Sequence, residues 1–307
     1  MEVGTRGVFP IGAGMKPISR VRSLWELIQF YWDLKATDVI QLAREGYEHL
    51  LNVERRLAPF IGELRGRVLL DIGCGRLYPL TLLLHSRGCR VIGIDIAYIP
   101  TRGSFAGNWL RVWEHGGLYA LGREVFFSLS RVQRKFYSAL QHASGLPLIF
   151  DGLDLRQMNA EKLDLPNDFA DVVVSIAVFE HIRNVNEAVA ELTRVLKPGG
   201  IAYVEIHLFT SLSGGHHPQW ANPRAVPPWD HLRQRTRPVP VYLNRLRKHQ
   251  YQSLFTEHLQ LLEVIDKDEP PVAKNLLTSE IRHELRDYSE EDLLTKAIVL
   301  VARKGRP

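Results

Sequence analysis

The sequence predicts an α/β fold in which helices cover a mostly parallel β-sheet. Residues 68–70 form a short apolar segment with no interrupting polar side chain, which is typical of a strand buried on both faces. This segment runs through Asp71 into a turn containing Gly73 and Gly75, and a helical pattern follows. Strand and helix patterns then alternate along the chain, as βαβ units require. The fold class rests on these three observations.

The composition of the chain limits its size, its partners and its location. The chain has 307 residues, of which 45% are apolar, enough for one large α/β domain with additions. A net charge of +5 permits an anionic partner without requiring one. Cys74 and Cys89 are the two cysteines, too few for a disulfide framework. No run of 18 apolar residues and no signal-peptide pattern is present, so the cytoplasm is the expected location.

The N-terminal part, residues 1–64, is predicted to be an arm followed by a helical extension. Apolar residues recur at helical spacing in residues 23–35 and again in 39–50, and Pro59 and Gly62 end the second pattern. Three roles fit these helices. They cap one side of the sheet, they place aromatic side chains over a substrate pocket, or they associate with a membrane surface.

The second strand carries the motif VIGID and ends in Asp95. Glycines in the turn after the first strand let the backbone approach a ligand closely, because they lack a Cβ atom. An acidic side chain at the end of the neighbouring strand can accept hydrogen bonds from ribose hydroxyls. These features predict a nucleoside-binding sheet. The alternative for Asp95 is a turn or helix-capping aspartate.

Residues 97–147 interrupt the alternation and are interpreted as an insertion that helps to select the substrate, with a helical pattern over residues 123–143. The later predicted elements are strands at 153–158, 171–175 and 201–206, helices at 185–195 and 243–258, and two final strands at 259–265 and 297–301. Residues 208–240 contain six prolines and form a loop long enough to be functional.

Five motifs follow one another between residues 71 and 206: DIGCG, IGIDI, MNAEKLDLP, FADVVVSIAVFEHI and VLKPGGIAYVEI. This series resembles the class I S-adenosylmethionine-dependent methyltransferases. The resemblance implies a Rossmann-like seven-stranded, mostly parallel sheet with an antiparallel C-terminal hairpin and helices on both faces. It further implies a methyltransferase domain over residues 65–307, with the insertion at 97–147 and a lid loop at 208–240, and S-adenosylmethionine as the cofactor.

The resemblance implies a set of cofactor-binding residues: Asp71, Gly73, Gly75, Asp95, Ile96, Asn159, Ala160 and Ser175. The glycine turn would hold the methionine end, Asp95 the ribose, and Ile96 one face of the adenine. Asn159 stands where the family often has aspartate, and its amide oxygen can still accept from the adenine amine. In the simpler alternative, Asn159 is a turn residue that bonds its own backbone. Arg76-Leu77 stands where a further glycine is common in the family, which indicates bulkier side chains beside the methionine end of the cofactor.

Histidines mark the side of the predicted site where an acceptor would bind. His181 is the catalytic candidate, as a base or as an orienting side chain, because its unperturbed pKa lies near 6.5. His216 and His217 in the long loop are candidates for substrate hydrogen bonding. His207, His216, His217 and His231 lie around the long loop and could bind a metal together with acidic neighbours. No HxH or HxxxH spacing appears on a predicted helix or strand, however, so no metal site is expected. A basic cluster follows the histidines, at residues 233–248.

These observations predict methyl transfer from S-adenosylmethionine to an oxygen of a small-molecule or glycan-type acceptor. Carbon and nitrogen acceptors remain open, as does the oligomeric state. The alternative is a catalytically silent scaffold or regulatory partner of the same fold, because a fold does not guarantee activity. No aromatic-interleaved RNA-binding module is visible in the sequence, so a nucleic-acid partner is not expected.

Overall fold

A computed structural model of the chain describes residues 38–97, 132–217, 219–220, 222–233 and 241–306. Its core is one seven-stranded sheet with the strand order β3-β2-β1-β4-β5-β7-β6. The strands are β1 (Val68–Ile72), β2 (Arg90–Asp95), β3 (Asp154–Gln157), β4 (Ala170–Ile176), β5 (Leu196–His207), β6 (Gln260–Asp268) and β7 (Thr295–Arg303). The predicted Rossmann-like fold class is confirmed.

The sheet combines a parallel half with an antiparallel edge. β1 through β5 pair in parallel, whereas β7 pairs antiparallel with both β5 and β6. β7 therefore lies between the last parallel strand and the edge strand, and most of its residues are buried. The resemblance predicted this antiparallel hairpin. The chain crosses from the β3 side to the β5 side between β1 and β4, and ligands bind at the carboxyl ends of strands around such a crossing.

Helices cover both faces of the sheet. The helices are α1 (Val39–Ile61), α2 (Pro79–Ser86), α3 (Val132–Ser144), α4 (Val185–Val195), α5 (Asp230–Arg233), α6 (Lys248–Thr256), α7 (Pro271–Leu276), α8 (Ser279–Glu284) and α9 (Glu290–Leu294), with a 3₁₀ turn at Phe179–His181. One apolar cluster joins α4 and α6 to the sheet, and a second joins α1, α2 and α3 to the opposite face.

α1 is the part of the N-terminal extension that the structure describes. Asp38 caps it by accepting from the backbone N–H groups of Ile40 and Gln41, at 3.0 and 3.1 Å. Its buried stripe packs on the sheet, and a Cβ at Gly46 would stand 2.8 Å from Pro79 of α2. α1 thus caps the sheet, the first of its three possible roles. The other predicted helix, at residues 23–35, lies outside the described residues, as do 98–131 of the insertion.

The long loop and the segment after β6 form a small satellite core that the sequence patterns did not predict. Trp229 is fully buried there against the short helices α7, α8 and α9. Its indole N–H donates to the carbonyl oxygen of Leu293 at 3.3 Å. None of the helices in the described part of the chain is both long and apolar enough to cross a membrane.

Candidate active site

The turn after β1 is built around two glycines with left-handed backbone conformations. Gly73 has φ +75° and Gly75 has φ +70°, values that other residues adopt only with strain. A Cβ at Gly73 would overlap the side chain of Val178, which follows β4. A Cβ at Gly75 would meet nothing within 4 Å. Gly73 therefore packs the turn against the next strand end, while Gly75 leaves its own side of the turn open to a ligand.

Asp95 ends β2 beside this turn. Its carboxylate accepts from the backbone N–H of Gly75 at 3.1 Å and from that of Ala97 at 2.8 Å. Burial raises the pKa of Asp95, and these two amide donors offset part of the increase. The next residue, Ile96, leaves 50% of its surface exposed. An acidic acceptor, an exposed apolar side chain and the open side of Gly75 therefore meet at one edge, a combination that fits a nucleoside.

Asp71 is almost fully buried, whereas the predicted contact with the cofactor would require an accessible side chain. It is only 3% exposed, and the Thr81 hydroxyl donates to its carboxylate at 2.5 Å. Burial, together with the charge of Asp95, raises the pKa of Asp71 to about 7, although the bond from Thr81 opposes the increase. Between these residues, the buried thiol of Cys74 has a pKa well above the usual range. Cys74 therefore contributes to packing and does not act as a nucleophile, because the thiolate is the nucleophilic form and the raised pKa keeps the thiol protonated.

The remaining predicted cofactor residues lie at the same edge, but their polar groups are largely engaged within the protein. The Ser175 hydroxyl is fully buried and donates to the carbonyl oxygen of Ile72 at 2.9 Å. Asn159 is exposed, and its side-chain oxygen accepts from the N–H of Glu161 at 3.0 Å. That bond is the turn geometry of the simpler alternative. Ala160 is half-buried and packs on the core cluster.

A second group of side chains follows β4. The 3₁₀ turn Phe179–His181 places Glu180 and His181 next to each other, and the long loop brings His216 to them. One ligand atom from each of these three residues lies within 4.8 Å of the others. We call them the Glu–His–His cluster. Val178, the residue that touches Gly73, precedes Glu180 by two positions, so the cluster adjoins the glycine turn.

Glu180 is the most unusual member of the cluster. The residue is 2% exposed, and neither carboxylate oxygen has a hydrogen-bond partner. Burial raises its pKa to about 8. The nearby amides of Glu180 and His207 only partly offset this desolvation, and they do not meet hydrogen-bond geometry with the carboxylate. A buried carboxyl group of this kind is either protonated or balanced by a cation.

Three histidine rings pack on one another beside this carboxyl group, His181 edge to face on His216 and His207 tilted against it. His181 and His216 have ring centroids 4.9 Å apart, and His207 and His216 are 5.0 Å apart. Burial lowers the pKa of His181, and burial together with the neighbouring histidines lowers that of His216 to about 3. Both rings are therefore neutral at pH 7 and carry a free lone pair on one nitrogen.

The tautomer of His181 follows from one contact. Its Nδ1 lies 2.9 Å from the carbonyl oxygen of Tyr242, which can only accept, so Nδ1 carries the proton. Its Nε2 is then the unprotonated nitrogen, and it is buried without a partner. His217, by contrast, uses its Nδ1 to accept from the backbone N–H of Gln219 at 3.1 Å. The structure therefore brings His216 into the cluster and leaves His217 beside it.

Two further residues support the cluster: Asn244, which was not identified from the sequence, and His207, one of the histidines around the long loop. Asn244 donates from its side-chain amide to the carbonyl oxygens of Phe179 and Ile182, at 2.7 and 3.1 Å. Its backbone N–H donates to the carbonyl oxygen of Glu180 at 2.9 Å. His207 packs on His216 and lies 2.8 Å from the Ser213 hydroxyl. No sequence signal marked Asn244, since its partners are 62 or more residues away.

Comparison with known proteins places the central part of the chain in a family. Residues 70–204 match the family described as "Methyltransferase domain". A tRNA U34 carboxymethyltransferase from Hydrogenovibrio crunogenus is 27% identical over 161 residues, which are 52% of this chain and 38% of that protein. The match thus spans well under half of that relative's length.

The chain also matches solved structures at low identity. The YcgJ protein from Bacillus subtilis has 19% identity and a TM-score of 0.47, covering 85% of this chain and 100% of its own. An S-adenosylmethionine-dependent methyltransferase from Mesorhizobium loti has 14% identity and a TM-score of 0.46, covering 81% of this chain and 96% of its own.

Proposed function

Because residues 70–204 match the family described as "Methyltransferase domain", we propose that the chain transfers a methyl group from S-adenosylmethionine to an oxygen atom of a small-molecule or glycan-type acceptor. The observation that carries this proposal is the contact between Gly73 and Val178. It joins the nucleoside-binding turn to the Glu–His–His cluster. Methyl transfer requires an acceptor lone pair in line with the methyl group, so donor and acceptor sites must adjoin in this way.

Bound S-adenosylmethionine supplies an electrophilic methyl group on a sulfonium. In our proposal, the backbone at Gly75 forms the floor for the methionine end, and Asp95 accepts from the ribose hydroxyls. Ile96 covers the adenine, which would explain why a large apolar side chain stands half exposed. Asn159, Ala160 and Ser175 shape the adenine end, with Ser175 fixing β4 to β1 rather than binding directly.

The histidines form the acceptor side of the proposed site. Nε2 of His181 is neutral, unprotonated and without a partner, so it can accept the hydrogen bond of an acceptor hydroxyl and take its proton as the bond to the methyl carbon forms. His216 lines the same pocket, and His217 stands at its rim. Without a bound cation, the Glu–His–His cluster is largely uncharged at pH 7, because the pKa of Glu180 is raised to about 8 and those of both histidines are lowered, which suits the exclusion of water from the transfer step.

Two experiments test the proposal. Titration calorimetry with S-adenosylmethionine should show one binding site, and Asp95→Ala should weaken binding by about tenfold to a hundredfold, since two hydrogen bonds to a charged group are lost. Asp171→Ala is the matched control. Asp171 also braces a backbone N–H, that of Val68 at 2.8 Å, but at the far end of β1. Equal affinities in both variants would refute the ribose assignment.

The acceptor is then identified from released S-adenosylhomocysteine. A panel of hydroxylated small molecules, oligosaccharides and unmodified tRNA covers the proposed class and the substrate class of the Hydrogenovibrio relative. Turnover with a small hydroxylated acceptor supports the proposal, and His181→Ala should reduce it strongly. Cofactor binding without turnover on any acceptor would favour the alternative of a silent scaffold, and turnover confined to tRNA would replace the acceptor class.

A further inference from the structure

Glu180, His181 and His216 present a carboxylate and two imidazoles to one small volume. Their ligand atoms all lie within 4.8 Å of one another. A tetrahedral cation with bonds of about 2.0–2.1 Å requires ligand atoms about 3.4 Å apart. Side-chain rotations that move each ligand atom by about 1 Å would bring the three atoms to this separation. The spacing along the sequence gave no sign of this site, because His216 arrives from the long loop while the other two follow β4.

The carboxyl group of Glu180 supplies an independent reason to place a cation here. Both oxygens are buried in a residue that is 2% exposed, and neither has a hydrogen-bond partner. Buried carboxyl groups are normally hydrogen-bonded, paired or bound to a metal. Among the described residues, no ion pair involves Glu180, and the charged side chain that acts on its carboxyl group, Glu205, is itself an anion paired with Lys267. Glu180 therefore offers a carboxyl group beside two imidazoles, and a bound cation would replace its proton and make it an anionic ligand.

The hydrogen bonding of His181 matches that of a metal ligand. Histidines that bind a metal almost always donate their other ring N–H to a carbonyl oxygen, a carboxylate or water. His181 does so from Nδ1 to the carbonyl oxygen of Tyr242, at 2.9 Å, which directs the lone pair of Nε2 into the cluster. The Asn244 amide fixes the turn that carries both Glu180 and His181. These ligands are thus held in place by surrounding structure.

We propose that Glu180, His181 and His216 bind one divalent transition-metal cation, with zinc as the best match. Two imidazoles and one carboxylate form a ligand set found in zinc enzymes and in sites for other first-row transition metals, whereas Mg²⁺ and Ca²⁺ favour all-oxygen sites. Three protein ligands leave a fourth position open. If the proposed function holds, an acceptor oxygen is the natural fourth ligand, and His181 then serves as a ligand rather than as a base.

Metal binding is tested without any methylation assay. The full chain, treated with a chelator and dialysed, is titrated with zinc chloride by calorimetry, and bound metal is counted by elemental analysis after gel filtration. We expect one equivalent in the wild type, at least a tenfold loss of affinity in Glu180→Gln and in His216→Ala, and no response to magnesium. His249→Ala, which removes an exposed histidine of α6, should keep the full equivalent.

The outcomes are distinct. A wild type without stoichiometric zinc, or a His216→Ala variant that binds as well as His249→Ala, would overturn the site. Far-ultraviolet circular dichroism on each variant distinguishes misfolding from the loss of a metal ligand. If His216→Ala fails to fold, Glu180→Gln still tests the site, because glutamine keeps the shape of the glutamate side chain. Zinc binding in a chain that transfers no methyl group would uphold the metal site and refute the proposed function. Methyl transfer by a wild type that binds no stoichiometric zinc would do the reverse.

Discussion

Gly75 and Gly62 have the same φ of +70°, and a Cβ at either position would meet no atom within 4 Å. They differ in place, because Gly75 lies in the turn after β1 and Gly62 caps the end of α1. An alanine at either position is strained by the positive φ, at a cost of roughly 1–3 kcal/mol of folding free energy. Only at Gly75 would the added methyl group also stand where the cofactor approaches.

We therefore expect Gly75→Ala to weaken S-adenosylmethionine binding by at least tenfold, and Gly62→Ala to leave it unchanged. Calorimetry measures the affinities, and urea unfolding checks that the two variants lose similar stability. Wild-type affinity in Gly75→Ala would show that the open side of the turn does not face the cofactor. Gly73→Ala is a different case, because its Cβ would collide with Val178 and should destabilise the fold itself.

Because Asp71 is buried, we expect the stability of the cofactor-free chain to depend on pH. Its pKa in the folded state is about 7, against 3.8 for an unperturbed aspartate, chiefly because of burial. The folded chain thus binds a proton that the unfolded chain releases, so the unfolding free energy should fall as pH rises from about 4 to about 7. A difference of roughly 3 pKa units sets an upper limit of about 4 kcal/mol.

Asp71→Asn keeps an oxygen that can accept from Thr81 and cannot ionise. Urea unfolding of both proteins at pH 5 and pH 8 should show a steeper loss of stability in the wild type, because the other titrating groups are shared. Parallel pH profiles would mean that Asp71 stays ionised in the folded chain, through a compensating contact near Asp95.

At the scale of elements, the 3₁₀ turn that carries Glu180 and His181 depends on Asn244. The Asn244 side chain satisfies the carbonyl oxygens of Phe179 and Ile182, and it accepts from the buried hydroxyl of Tyr251 at 2.7 Å. Asn244→Ala leaves these groups unpaired, each at a cost of about 1–3 kcal/mol where water cannot replace the bond. We expect a loss of at least about 2 kcal/mol in urea unfolding, with cofactor affinity within twofold of wild type.

Asn186→Ala is the control for this substitution. Asn186 is exposed, and its side-chain oxygen contacts His258 at 3.2 Å, a bond that water can replace, so its effect should stay below about 0.5 kcal/mol. If both asparagine variants are equally stable, Asn244 does not brace the turn. A large loss of cofactor affinity in Asn244→Ala would instead couple the turn to the nucleoside side through Val178.

Some of these helices, strands and turns could be predicted from the sequence, and others could not. Buried strands and the glycine turn were visible because they are encoded locally, and the motif order identified the methyltransferase family, which the match over residues 70–204 bears out. The short helices α7, α8 and α9 were missed, since six or fewer residues carry too little periodicity. The Glu–His–His cluster was missed because tertiary folding alone joins His216 to the turn after β4.

At the scale of the whole molecule, the positive charges decide between small acceptors and RNA. Lysine and arginine number 39 and acidic residues 34, a modest excess. Within the described part of the predicted basic cluster, Arg233 pairs with Glu284, at 2.5 and 2.9 Å, and Lys248 pairs with Asp266 and Glu291. Arg247 donates to a backbone carbonyl and lies over the Tyr288 ring. Arg245, the other described member of the cluster, is exposed and lies over the Phe209 ring, so three of the four described charges have their main contacts within the protein.

We therefore expect unmodified tRNA to bind only in the non-specific range, with a Kd weaker than about 1 µM at physiological salt. Filter binding at 50 and 200 mM salt measures this directly, and a net release of counterions should make the weak binding fall steeply with salt. Methylation of a small hydroxylated acceptor should keep its KM within about twofold over the same range, because few exposed charges take part. Nanomolar tRNA binding with methylation of the RNA would contradict this prediction. It would require the phosphate contacts to come from side chains other than Arg233, Arg247 and Lys248, since these three would first have to give up their present contacts within the protein.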